Sequence, residues 1–235
     1  MKFELNPVRR DVLWTLGSLA LLLVWDAARL DLTVMHWFGD AHGFGLRNNW
    51  VFSRLLHDGG RWISALAFAA VLVNVVRPWA FAKDMNLPTR IWWFGAMAIC
   101  LVLIPTLKQH SATSCPWDQA EFGSSAHYVS HWAFGINDGG GGRCFPSGHA
   151  SAAFSFFGGW FALRASAPQA ARRWLMGVLT FGVLFSIAQT VRGAHYPSHS
   201  LWTAWVCWAS SAALWYGAKP LLGVRTHAPA VIAER

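Results

Sequence analysis

Residues 143–166 read RCFPSGHASAAFSFFGGWFALRAS. A polar Pro-Ser-Gly-His opens a run that is otherwise apolar, and the run has roughly the 20 residues that one bilayer crossing requires. The same length also suits a buried helix of a soluble domain. Which of the two it is decides the fold, and the rest of the chain answers the question.

Charged residues make up 13% of the 235 residues and hydrophobic residues 54%. Soluble domains carry about 25% charged residues. Mean hydropathy is +0.32. Five further apolar runs accompany the one at 147–166: 11–28, 62–81, 90–109, 172–191 and 200–218. The expected fold is all-α, a polytopic membrane protein with six transmembrane helices in one domain over residues 1–235. The first run follows Lys2, Arg9 and Arg10, as in a signal peptide, but no small-residue cleavage site follows it; it reads as a retained helix. The net charge of +8 does not point to nucleic acid, because the basic residues do not cluster with stacking aromatics on polar sequence. They flank apolar runs, which suits an anionic membrane surface.

Six spans put both termini on one side. That side holds Lys2, Arg9, Arg10, Arg77, Lys83, Arg90, Arg164, Arg172, Arg173, Lys219, Arg225 and Arg235, which is 12 of the 19 basic residues. The positive-inside bias then places the termini in the cytoplasm. Two long segments, about 29–61 and 110–146, fall on the outer side, and a tail from about 219 to 235 is expected to be mobile. The 16 Trp fit interfacial belts. Segment 110–146, with its glycines at 139–142, is too polar to lie in hydrocarbon.

Cys100 and Cys207 fall inside predicted spans and read as small buried apolar residues. Cys115 and Cys144 share the second outer segment, where an oxidising compartment would let them pair; two free thiols are the alternative. A bridge there would contribute about 3–4 kcal/mol on the chain-entropy model. A zinc site built on these thiols lacks the CxxC spacing.

Polar chemistry collects at the outer ends of the spans. Ser147 reads as the N-cap of a helix that follows Pro146, and Ser147 and Gly148 would offer free backbone N–H groups. His149 comes next. Lys108 ends the third run, in PTLKQH, while Arg192 and His195 end the fifth, in QTVRGAHYPSH. Two cations, two imidazoles and a set of N–H donors at one membrane depth suit a phosphate group. Cations hold the nonbridging oxygens, one histidine attacks phosphorus, and the other protonates the leaving oxygen. Each residue also has a plainer reading. Lys108 fits a snorkelling side chain, His195 an interfacial turn, and His199 a polar cap on the sixth span. His57 and Asp58, in LLHDGGRW, read as caps of the second span, with the pocket mouth as the alternative. His110, His127 and His131 read as loop residues, and their number keeps a metal site as a minor alternative.

In order and spacing these residues resemble the three motifs of the type 2 phosphatidic acid phosphatase superfamily of integral membrane lipid phosphatases. Those motifs are Lys-x6-Arg-Pro, Pro-Ser-Gly-His and Ser-Arg-x5-His-x3-Asp. The second is intact as Pro146-Ser147-Gly148-His149. The first stands as Lys108, six residues, then Cys115-Pro116, with Cys in place of Arg. The third stands as Ala188-Gln189, five residues, His195, three residues, then His199, with its Ser, Arg and Asp all replaced. Residues 90–218 carry the resemblance. Cys115-Pro116-Trp117-Asp118 and Arg192-Gly193-Ala194-His195-Tyr196-Pro197-Ser198-His199 resemble the variant motifs of a bacterial branch.

The resemblance implies that His195 is a nucleophile that becomes a phosphohistidine, with His149 as acid and then base. His199 would take the place of the orienting Asp, with Asp118 or Glu121 as stand-ins for the lost carboxylate. Lys108, Ser147 and Gly148 would bind phosphate. Arg192 is the best replacement for a missing motif arginine; Arg143 is a second, and also reads as a solvated loop residue. No metal or cofactor is implied, since cations already neutralise the developing charge. The implied partners are a lipid phosphate substrate and the surrounding membrane lipids. The implied setting is a bacterial inner membrane with the site facing the periplasm. Undecaprenyl pyrophosphate, phosphatidylglycerol phosphate, phosphatidic acid and lipid A phosphates all remain open as substrates. Transfer of the phosphoryl group to a second lipid would use the same phosphoenzyme. A non-catalytic transporter or binding protein would instead show broken spans with charges near mid-membrane.

Overall fold

The computed structural model describes residues 6–223. The expected tail lies outside them from residue 224 onward, as do Lys2, Arg225 and Arg235. The chain is mostly helical. Helix α1 (Pro7–Ala27) starts where Asn6 accepts the Val8 N–H and Pro7 fixes the first turn. A short α2 (Leu30–Met35) and a two-residue hairpin (β1, Gly39–Asp40; β2, Gly43–Phe44) follow. A π-helical stretch, Val51–Asp58, runs straight into α3 (Gly59–Val76). Helix α4 (Leu87–Gln109) is capped by Asn86, which accepts the Thr89 N–H. The Pro-Ser-Gly-His run forms α5 (Gly148–Phe154), a 3-10 turn (Ser155–Phe157) and α6 (Gly158–Leu163). Helices α7 (Pro168–Val191) and α8 (Pro197–Ala218) complete the fold, each opening on a proline.

Three helices are long and apolar enough to cross a membrane: Val51–Val76 with 26 residues, Leu87–Gln109 with 23 and Pro168–Val191 with 24. That makes this a membrane protein, though not by the six continuous runs expected. Helices α1 and α8 are nearly as long, 21 and 22 residues, but α1 contains Arg9, Arg10, Asp11 and Asp26 and α8 is rich in Trp and Ser. The run at 147–166 breaks at Ser155–Phe157 and ends at Leu163. Its aromatics and the Gly158-Gly159 pair serve packing: a Cβ on Gly159 would enter the Trp174 ring.

The outer segment 29–61 also departs from expectation. It carries α2, the hairpin and the π-helical stretch rather than a loop. The Gly59-Gly60 pair opens α3 directly from the π-helical stretch, and Asp58 makes no side-chain cap there. The helix runs through both glycines, because a Cβ on Gly60 would meet the Phe185 ring at 2.7 Å. Glycine lets α3 close on α7, and composition alone cannot tell that from a break.

The bundle is apolar outward and polar inward, as lipid requires. Leu21, Val24, Leu66, Val76, Val102 and Met176 are exposed, while Asn74, Ser155, Thr203 and Ser211 are buried. The α5–α6 element sits at the centre, against α4, α7 and α8. Trp93, Met97, Cys100, Phe154, Phe157 and Cys207 fill the core around it. Cys100 and Cys207 are free and buried, as expected.

Segment 110–146 folds over one end of the bundle. The Asp138 carboxylate accepts from the Ser114 N–H at 2.6 Å and the Ser114 hydroxyl at 2.8 Å. The Arg143 N–H donates to Ser111 O at 2.7 Å and the Cys144 N–H to Thr113 O at 2.9 Å. Cys115 and Cys144 form a disulfide. The bridge and these bonds hold the start of α5 beside the end of α4.

Candidate active site

The end of α4, the start of α5, the α7–α8 link and the π-helical stretch meet at one end of the bundle. Ser147 caps α5 with its hydroxyl on the Ala150 N–H at 3.4 Å. Its own N–H donates to His199 O at 3.0 Å, and its carbonyl accepts from the Thr203 hydroxyl at 2.9 Å. Ser147 is thus a buried clamp between α5 and α8, which leaves Gly148 and His149 facing the site. The Lys108 side chain lies over Gly148, its Nζ 3.8 Å from where a Cβ would stand. None of the ion pairs among the described residues involves Lys108.

Three histidines form a row. The His149 and His195 rings are 6.1 Å apart between centroids, and those of His195 and His199 are 5.8 Å apart. His195 is buried, and its Nδ1 is 3.4 Å from Cys144 Sγ. A disulfide sulfur has no hydrogen to give, so Nδ1 is the donor. The proton then sits on Nδ1 and Nε2 carries the lone pair, the state a nitrogen nucleophile needs. Burial, with His199, Lys108 and His149 beside it, holds the His195 pKa well below the ordinary histidine value and keeps the ring neutral.

His199 does not take the orienting role expected of it. Neither of its ring nitrogens has a hydrogen-bond partner among the described residues. Its ring stands edge-on to those of His195, Tyr196 and Phe145. The His195 imidazole instead lies against Cys144, through its disulfide sulfur and its backbone. Neither proposed stand-in acid hydrogen-bonds His195: Glu121 pairs with His36 at 2.7 Å, and the only hydrogen-bond contact of a His195 ring nitrogen among the described residues is Cys144 Sγ. The sulfurs of Cys115 and Cys144 and a nitrogen of His195 lie within 4.8 Å of one another. Because the sulfurs are bonded together, the cluster is a disulfide beside an imidazole, not a thiolate ligand set.

Arg192 donates its Nε–H to Arg47 O at 2.9 Å, and one buried terminal nitrogen of its guanidinium has no partner among the described residues. Arg143 is exposed, in a left-handed conformation with φ 57°. Positive charge from Lys108, Arg61 and Arg192 acts on the His149 ring, beside the His57–Asp58 pair. That field suits an anion.

Sequence reading gave His57 and Asp58 the pocket mouth only as an alternative, and it missed Asp31 and Asp26. His57 lies ring against ring on His149, 4.1 Å between centroids, and its Nδ1 bonds to Asp58 at 2.7 Å. Asp31 accepts the Ser198 N–H at 2.9 Å and the Ser198 hydroxyl, fixing the start of α8 between His195 and His199. Asp26 accepts from Trp132 and Trp202, each at 2.9 Å, and pairs with His131, which stacks on Phe145 next to Pro146. His131 is a turn residue, as expected, and it is also part of the support under the motif. These contacts join distant segments, and only the Gly-flanked His57-Asp58 dipeptide carried a local signal.

A cleft of about 1080 Å³ opens between α3 and α7. It begins one turn below Arg61 and His149, at Ile63, Ser64 and Ala152, and reaches Trp79, Phe81 and Pro168 at the far end of the bundle. Its walls are apolar, with Phe156, Trp174 and Phe185 prominent.

A helical membrane bundle that gathers histidines and unpaired cations at one end is built to handle a phosphorylated ligand. Residues 89–221, more than half of the chain, match the PAP2 superfamily model, and the chain belongs to that superfamily. Its members are generally phosphatases, so phosphoric ester hydrolysis is the activity class that membership assigns. No curated protein and no solved structure matches the chain.

Proposed function

We propose that this protein is a membrane lipid phosphatase acting through a phosphohistidine on His195. The observation that carries the reading is the contact between His195 Nδ1 and Cys144 Sγ, which leaves Nε2 as a free nucleophile. Lys108, Arg192 and the Gly148 N–H hold the nonbridging phosphate oxygens. The Nε2 lone pair of His195 forms the N–P bond as the bond to the leaving oxygen breaks, and the proton from His149 goes to that oxygen. Water then attacks the phosphohistidine. His149 takes the water proton, and phosphate leaves. Each proton transfer is worth about 10²–10⁴ in rate.

The apolar cleft supports a lipid substrate. From Ile63 to Val76 the helix alone rises about 20 Å, so a long chain anchored at the phosphate could lie along α3 and α7. In this reading α1, the α5–α6 element and α8 cross the bilayer beside the three long apolar helices. The site then faces the periplasm of a bacterial inner membrane, where the disulfide is stable.

The test is phosphate release by detergent-purified full-length protein. The panel is phosphatidic acid, phosphatidylglycerol phosphate, undecaprenyl pyrophosphate and lipid A phosphate, with and without EDTA, beside His195→Ala. Release that survives EDTA and is lost in the variant is expected. Phosphate appearing on a second lipid instead of in water would move the reading to phosphotransfer. No turnover of any member by folded protein would overturn it.

A further inference from the structure

Asp58 and His57 belong to neither of the motifs that place His149 and His195, yet they form a built contact with His149. The His57 ring packs on the His149 ring at 4.1 Å between centroids, with 37° between the planes. Its Nδ1 is 2.7 Å from Asp58 Oδ1, and Arg54 Nη1 holds the other carboxylate oxygen at 3.3 Å. The pair lies on the π-helical stretch Val51–Asp58. Such wide turns re-aim side chains and concentrate at functional sites.

Two contacts fix the π-helical stretch against its partner helices. Gly60, two residues on from Asp58, lets α3 touch the Phe185 ring of α7. The Ser64 hydroxyl donates to Ala152 O at 2.7 Å, tying α3 to α5 one turn beyond His149. The His149 ring needs such a support: its Nδ1 has no hydrogen-bond partner among the described residues. Among the described residues no side chain fixes the plane of its ring by hydrogen bonding. The charges around it, those of Lys108, Arg61 and Arg192 and of His57 itself when protonated, oppose the protonated state that an acid must reach.

We propose that His57 and Asp58 are a positioning pair for His149. The His57 ring donates its Nδ1–H to Asp58 and lays its face on His149, which sets the ring plane. The carboxylate behind it offsets the positive charge of the His149 imidazolium. The carboxylate that this chain lacks beside His195 is thus supplied on the other histidine, to the acid rather than to the nucleophile. The inference rests on the reading of His149 as the acid that protonates the leaving oxygen.

Leaving-group dependence separates this role from simple damage. Octyl phosphate departs as an alkoxide that must be protonated; 4-nitrophenyl phosphate departs as a phenolate that need not be. Full-length parent, His57→Ala, His57→Phe and Asp58→Asn are compared on both esters, with melting temperatures in the same detergent. For octyl phosphate, kcat is expected to fall about 10²-fold in His57→Ala, with KM little changed. The loss on 4-nitrophenyl phosphate should be no more than a few-fold. His57→Phe, which keeps a ring on His149, and Asp58→Asn should show the same asymmetry with smaller losses. If His57→Ala melts early, His57→Phe carries the comparison. Equal losses on the two esters, or none, would overturn the inference while leaving the hydrolase intact. A parent that hydrolyses neither ester would overturn the hydrolase reading and this inference with it.

Discussion

Lys108 Nζ lies 3.8 Å from the point where Gly148 would carry a Cβ, and that contact joins two motifs separated by the whole of segment 110–146. The Lys108 ammonium thus lies beside the Cα of the residue before His149. Replacing Lys108 with Met keeps the stem and removes the charge. Hydrolysis should fall by about 10²–10³, chiefly in kcat, with the melting temperature nearly unchanged. A Lys108→Met protein with parental rates would return this residue to the role of a snorkelling side chain.

The disulfide should control both stability and rate. Cys144→Ser removes the bridge and places a hydroxyl near His195. The chain-entropy model puts the stability loss at about 3–4 kcal/mol, and a ring misplaced by about 1 Å loses on the order of 10² in rate. Dithiothreitol should produce the same loss in the parent, following the appearance of thiols that react with maleimide. A reduced parent with full activity would show that the sulfur does not orient His195.

The pH profile of stability should carry the signature of a histidine held neutral. In the folded chain His195 resists protonation because it is buried beside His199, Lys108 and His149. In the unfolded chain it takes a proton near the ordinary value of about 6.5. This ring therefore costs nothing above that pH, and stability falls as pH drops below it toward the lower folded value. Between pH 7 and pH 5 the melting temperature of the parent should decline more steeply than that of His195→Gln. Parallel declines would place the acid sensitivity at other groups.

Gly193 should tolerate no side chain. Its φ is +73°, and a Cβ there would enter the Phe44 ring of the hairpin. Left-handed strain and overpacking together come to about 2–4 kcal/mol for Gly193→Ala. Because Gly193 lies between Arg192 and His195, rate should fall along with melting temperature. An unchanged melting temperature would mean that the link and hairpin separate at little cost.

Much of the site was legible because its residues sit in short motifs at the ends of apolar runs. Lys108, Gly148, His149 and His195 converge as their positions in sequence imply, and Ser147 caps α5 as its chemistry dictates. Cys115 and Cys144 pair as their shared segment suggested. What sequence could not supply were contacts made by packing. His57 and Asp58 read as caps of the second span, yet the helix continues through them, Gly60 admits Phe185 and His57 packs on His149. His199 occupies the position of an acid, yet its ring nitrogens have no hydrogen-bond partner among the described residues. The run at 147–166 has the composition of a span, but its aromatic cluster and paired glycines favour close packing over a continuous helix.

The bond between Cys115 and Cys144 also ties activity to the direction of insertion. Thiols stay reduced in the cytosol and oxidise outside it. A copy threaded into the bilayer back to front would keep both thiols, and segment 110–146 would lose the bridge that holds Cys144 beside His195. On the reading proposed above, such a copy would turn over more slowly, as the reduced parent should. The bridge would then mark the copies inserted in the productive direction.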